Sequence, residues 1–308
     1  MEGVFPATSL MDTVGIFTRS PTLLGEVGAV TKSPRFVAHR LTAKPRYRLL
    51  YPTRGPRDGL RWFPRPGESG EAIDAERIME DSVKQIESCL GCQRQVFNLD
   101  ELWTQTRPQG QPETLDEAVG KIYSIITTYT STRDRIASFL TDHQARKDGR
   151  APFIDPLVLS RHRFGREQTR ESYEAAVHAG AAFSGWVRDV LFVTEDADET
   201  PLLIFPQSFG IPRYRDTLDP SATIWTTFSI YSFGYLAGCP DYTLPIGEVG
   251  YASRISEREE FLPVSLSIVG APSHDLTLFG ILNRLAEDGV LKDVITGPHT
   301  FLTTPVPE

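Results

Sequence analysis

Acyl-transfer chemistry needs a nucleophile, a base within hydrogen-bond reach of it, and donors aimed at the oxyanion that develops. Cys239, in the run Leu236-Ala237-Gly238-Cys239-Pro240, is the one nucleophile whose neighbours suggest a defined turn. As a thiolate it would require an imidazole partner, which His274 or His299 supplies only if the fold brings it near. The other reading is a small buried thiol filling a turn. Cys89 and Cys92 form a C-x-x-C, but no second pair or nearby histidine completes a zinc site. Cys89 also falls near the end of an expected helix rather than on a strand-to-helix turn, so helix-end packing accounts for the pair better than metal or redox chemistry. His39, His143, His162, His178, His274 and His299 show no metal-ligand spacing. Arg161, Arg163 and Arg166 around His162 oppose its protonation and repel a cation. No Gly-x-Ser-x-Gly elbow and no His-Glu-x-x-His run occurs, which argues against α/β-hydrolase and zincin mechanisms.

The elements that must position such residues are readable from periodicity. Ser20-Pro21 reads as an N-cap followed by proline at the first helical position, opening a short helix weakened by Gly25 and Gly28. Tyr47 to Tyr51 reads as a strand between prolines. Ile78, Val83, Ile86 and Leu90 place a helix over Asp74 to Leu90 with Gly91 as its C-cap, and a strand over Arg94 to Leu99 follows. Thr114-Leu-Asp-Glu starts a helix running to about Thr130; a second covers Asp134 to Lys147, and a third Thr169 to Leu191. In the last third, Leu202 to Pro206, Tyr242 to Ile246 and Val264 to Val269 are short apolar runs of the kind buried strands show. Ser273 is expected to cap a helix carrying Leu278, Ile281, Leu282 and Leu285 and ending at Gly289. Strands interspersed with helices argue for an α/β layered sheet.

Composition bounds the function classes. With 40% hydrophobic and 23% charged residues over 308 positions, the chain has a globular composition. Its net charge of -8 is uneven: Lys32 to Pro66 is +9, which leaves -17 for the remainder. Six prolines make that basic stretch a loop-rich connection with a solvated surface, and no nucleic-acid module signature accompanies its aromatics, so nucleic acid is not an expected partner. Three cysteines cannot form a paired disulfide framework and fit a reducing compartment. Met1 to Ser20 has no signal-peptide pattern, and no window approaches the ~18 apolar residues of a membrane span, so a soluble cytoplasmic protein is expected.

Three segments, in order, resemble the amidase-signature family. Asp12-Thr13-Val14-Gly15-Ile16-Phe17-Thr18-Arg19-Ser20 is similar to its Asp-Thr-x-Gly-x-x-x-Arg-Ser entry to a helix. Leu236 to Gly247 is similar to its Ala-Gly-x-Pro turn and following strand, and Leu262 to Gly270 with Asp275 to its Leu-Pro strand and next helix. Thr200 to Pro206 fits the intervening strand. The resemblance implies an α/β fold with a mixed central sheet flanked by helices, incomplete at the N-terminal side, with residues 1–308 as one domain and 32–66 a connection within it.

The resemblance also implies hydrolysis of carboxylic amide C–N bonds by a serine activated through a second serine and a lysine, without cofactor or metal. These groups lie upstream of the Asp-Thr-x-Gly segment in the family. No Gly-Gly-Ser-Ser-Gly and no Gly-Gly-Ser occurs in these 308 residues, so no catalytic residue carries over. Supporting residues do. Asp12 and Arg19 are expected as a buried or half-buried pair at the first turn, and Gly238, Cys239, Pro240 and Tyr242 as a turn lining one wall of a pocket for a small amide. Pure folding scaffold is the alternative for both groups. A truncated product, a noncatalytic relative that binds without hydrolysis, and a partner chain supplying the missing half remain as explanations. The similarity looks closest to fungal members of the family, often found beside biosynthetic genes.

Overall fold

The computed structural model describes residues 8, 10–30, 45–54, 62–63, 73–196, 198–216 and 224–301. Most of the basic connection expected at 32–66 lies outside them; of it, residues 45–54, which hold a strand, and the buried Trp62 and Phe63 are described. The chain divides into two compact units. Met1–Gly15, Trp103–Val187 and Arg215–Ala237 form the first; Ile16–Leu102, Arg188–Tyr214 and Gly238–Glu308 form the second. Along the chain run α1 (Pro21–Val30), β1 (Arg46–Thr53), α2 (Ile73–Leu90), β2 (Arg94–Asn98), α3 (Leu99–Thr106), α4 (Leu115–Val119), α5 (Ile122–Ser131) and α6 (Ala137–Arg146). They are followed by α7 (Pro156–Glu167), α8 (Arg170–Trp186), β3 (Glu199–Phe209), α9 (Ser232–Tyr235), β4 (Asp241–Ala252), β5 (Glu259–Gly270) and α10 (Asp275–Glu287).

The second unit is built on a mixed sheet of order β2-β1-β3-β5-β4. β1 runs parallel to β2 and to β3, with Leu49 opposite Arg94 and Leu202, while β5 is antiparallel to both β3 and β4. The continuous apolar run of β3 is buried from Leu202 to Phe205, as a central strand covered on both faces must be. On one face Leu49, Leu202, Ile204, Leu244, Leu266 and Ile268 meet the stripes Met79–Val83–Ile86–Leu90 of α2 and Leu278–Ile281–Leu282–Leu285 of α10. Spacing of three and four residues puts each stripe on one helical face, and every such side chain withdrawn from water contributes roughly 1.5–3 kcal/mol. α2 stops where Gly91 takes φ +67 and the Cys92 N–H donates to the Glu87 carbonyl at 3.0 Å. α1 lies close on α10: a Cβ at Gly28 would meet the Phe279 ring at 2.1 Å, so only glycine permits that approach.

The first unit is helical around an aromatic core of Trp103, Phe183, Trp186, Phe228 and Phe233, with Trp103 and Trp186 edge-on at 5.1 Å. Two helix boundaries differ from the expected ones. The helix expected from Thr114 to Thr130 is divided at Gly120, where the Thr226 carbonyl oxygen comes so close that a Cβ would stand 2.3 Å from it. In contrast, no break separates α5 from α6. A π-helical turn at Thr132–Ile136 carries one into the other, beside Gly165 of α7, whose Cβ would fall 2.3 Å from Thr132 Oγ1. α8 opens on a capping box in which Thr169 and Ser172 exchange hydrogen bonds.

Candidate functional site

The family-like turn sits where α9 hands the chain to β4. Gly238 takes φ +68, a left-handed conformation that glycine adopts without strain, and this turns the chain into β4. The Pro240 carbonyl accepts the Gly270 N–H at 3.1 Å, tying the turn to the end of β5. Cys239 is buried, and that burial, reinforced by Asp241, pushes its thiol well above the ordinary range. A thiol so held stays protonated at neutral pH and is a poor nucleophile. Tyr242 packs edge-on to Phe279 at 5.3 Å, and burial pushes its phenol up as well.

Asp241 reaches solvent on one side, while the protein around the rest of its carboxyl pushes it up to about 6, the nearby Ser267 hydroxyl opposing the shift. That titration falls in the range useful to a general acid or base. Nothing in the local sequence signals it, since the shift comes from desolvation by the folded chain around the carboxyl.

The remaining sequence-predicted residues each have their own surroundings. Asp12 accepts the Thr8 backbone N–H at 3.0 Å and is half-buried in the first unit. Arg19 is exposed in the second unit, where its carbonyl accepts the Val294 N–H at 2.8 Å. His299 is bound to Glu248, Nδ1 to Oε1 at 2.6 Å, and its ring lies tilted against Phe261 at 4.4 Å. His274 is the N-cap residue of α10, with no side-chain capping bond. The expected Ser273 cap gives way because Ser273 takes φ +68, the positive value that the third position of an Ala271-Pro272-Ser273-His274 turn demands. Burial, and then Arg166, hold His162 below its ordinary range. Burial likewise pushes Cys89 up to about 11, and its thiol donates to Asp288 at 2.9 Å. Among the described residues no group of His, Cys, Asp and Glu is arranged to hold a metal ion, and no helix is long and apolar enough to cross a membrane.

The architecture is that of an open mixed sheet with flanking helices, and the solved structures it matches are amidase-signature enzymes. One is a chain of the vestigial protein complex tied to the evolutionary origins of an s-triazine catabolic enzyme, at TM-score 0.56 and 15% identity, covering 95% of this chain and 57% of that one. Another is 6-aminohexanoate cyclic dimer hydrolase, at TM-score 0.54 and 17% identity, covering 89% of this chain and 54% of that one. A third belongs to the glutamyl-tRNA(Gln) amidotransferase of Thermotoga maritima, at TM-score 0.51 and 12% identity, covering 96% of this chain and 57% of that one. No family model matches the sequence. At these identities the likeness is one of fold, and it is the amidase-signature fold, the same group that the ordered segments at Asp12, Leu236 and Leu262 resemble. The chain spans between 54% and 57% of the length of these three relatives.

Proposed function

We propose that these residues form the C-terminal portion of an amidase-type hydrolase acting on carboxylic amide C–N bonds. On this reading the nucleophilic serine, its serine partner and the lysine are supplied by chain outside the 308 residues, either upstream in the same polypeptide or on a partner. The observation that carries the reading is the fold likeness over 95% of the chain to a structure of which it spans only 57%. Serine attacks an amide only when a base removes its proton and fixed donors receive the oxyanion. Neither a Gly-Gly-Ser-Ser-Gly run nor a thiolate at Cys239 is available to do this within the residues at hand. The turn Gly238–Tyr242 then contributes pocket wall, with Asp241 as its titratable member. A second reading, a noncatalytic protein that binds an amide-like ligand, is favoured by the same missing run. Three free cysteines support a reducing, cytoplasmic setting. A role in fungal secondary metabolism rests on the sequence resemblance alone.

The test compares two proteins: the 308-residue chain, and the product of any longer frame that encodes Lys, Gly-Ser-Ser-Gly and Gly-Gly-Ser in order ahead of Met1. The 308 residues alone are expected neither to hydrolyse aryl or aliphatic amides nor to be labelled by a serine-directed fluorophosphonate. The longer product, or the chain mixed with its partner, is expected to do both. Labelling of the isolated chain would overturn the reading. A longer product that binds amides but never turns over would establish the noncatalytic alternative.

A further inference from the structure

A wide-open cavity of about 500 Å³ lies at the C-terminal end of α6, in the helical unit. Its walls are Phe139, His143 and Lys147, spaced four apart along one helical face, and Arg150, Pro152 and Phe153 from the following loop. The loop folds back across the helix end because Asp148 and Gly149 both take positive φ. The Gly149 N–H closes on the Gln144 carbonyl at 2.9 Å, and the Arg150 N–H on the Lys147 carbonyl at 3.0 Å. Arg150 Nε also donates to the Lys147 carbonyl at 3.3 Å, which fixes the guanidinium beside the cavity and occupies a helix-end carbonyl that would repel an anion.

Two features of these walls call for a ligand. α6 buries none of its side chains, and Phe139 and Phe153 stand 54% and 94% exposed. Two rings flanking one cavity are a large apolar surface to leave in water. Lys147 and Arg150 make no ion pair among the described residues, in a chain whose net charge is -8. Asp142 and Asp148, the acids of the same stretch, are not part of the lining. Rings and unneutralised cations around one cavity select a molecule that carries both an aromatic body and a negative head, since Arg presents a fork that matches a carboxylate.

We propose that this cavity binds a small aromatic carboxylate, its ring against Phe139 and Phe153 and its carboxylate on Arg150 and Lys147. The proposal is independent of amide hydrolysis and concerns a different part of the chain. The test is titration calorimetry of the 308-residue chain with 2-naphthoate, with neutral 2-naphthamide, and with acetate, which lacks a ring. Saturable naphthoate binding is expected, about tenfold or more tighter than the amide, with none detectable for acetate. Arg150→Gln with Lys147→Gln should erase the preference for the acid over the amide, and Phe153→Ser should weaken both aromatic ligands. All these side chains are exposed, so circular dichroism identical to the parent's is expected for each variant. Equal affinity for acid and amide, naphthoate binding untouched by the variants, or no naphthoate binding at all would each overturn the proposal.

Discussion

Cys239 and Asp241 are two residues apart, and desolvation by the protein around them raises both, buried thiol and solvent-touching carboxyl alike, with opposite chemical results. The thiol, ordinarily close to ionising, is pushed out of reach of neutral pH; the carboxyl, ordinarily long ionised there, is brought up to about 6. Ionising a carboxyl whose folded-state value lies above its ordinary 3.8 works against the folded state. Its contribution is therefore most favourable below that ordinary value and is lost as pH rises through about 6. Asp241→Asn stays neutral throughout, so thermal melts should show variant and parent closely matched in acid and the variant more stable at neutral pH. A stability gap that does not change with pH would show that the carboxyl is not held in this way. Glu248 has the opposite sign. Burial alone would raise it, but the Thr300 N–H and His299 hold it below its usual range, so its link to the C-terminal segment is lost only in acid. Neither behaviour was legible in the sequence, because each depends on groups contributed by distant segments.

At the scale of elements, Gly120 sets two effects against each other. Its φ of -55 and ψ of -32 are helical, and alanine in an open helix would be favoured there by about 1 kcal/mol. The Thr226 carbonyl oxygen, 2.3 Å from where the new Cβ would lie, belongs to backbone and cannot swing aside. Overpacking wins, and Gly120→Ala should destabilise by about 1–3 kcal/mol in urea denaturation, whereas a stabilised variant would mean that α4 and Thr226 separate freely. Elements with strong periodicity were readable from the sequence: α2 and α10 by their apolar stripes, β3 and β5 by runs buried on both faces. Two helices went unread although their signals were present. Asn98, whose side chain accepts the Asp100 and Glu101 N–H groups, opens α3, and Asp155 before Pro156 caps α7. The π-turn joining α5 to α6 carries no such signal, since a single extra residue in a helical turn leaves the local composition unchanged. The family-like turn was placed correctly along the chain, at the entry to β4. The raised acid beside it was not foreseen, because the desolvation that raises it exists only once the folded chain surrounds the carboxyl.

At the scale of the whole molecule, the chain passes between its two units at five points, after Gly15, Leu102, Val187, Tyr214 and Ala237. Neither unit is a continuous piece, so we expect the two to unfold together. In a Trp62→Phe variant, which removes the one tryptophan of the second unit, Trp103, Trp186 and Trp225 report on the first unit, and amide exchange in β3 and β5 on the second. Tryptophan fluorescence and sheet exchange should therefore give coincident midpoints in urea, and two separated transitions would show the units to be independent. The sheet's parallel pairing has a further consequence for synthesis. Arg46 of β1 pairs with Glu199 of β3, so the centre of the sheet closes only over 152 intervening positions. A ribosome adding roughly 5–20 residues per second takes on the order of ten seconds to make that stretch. Through that interval β1 has β2 on one side and an open row of amides and carbonyls on the other. The nascent chain thus carries a time-limited risk of mispairing that the finished protein does not, one that a chaperone bound near the ribosome exit would cover.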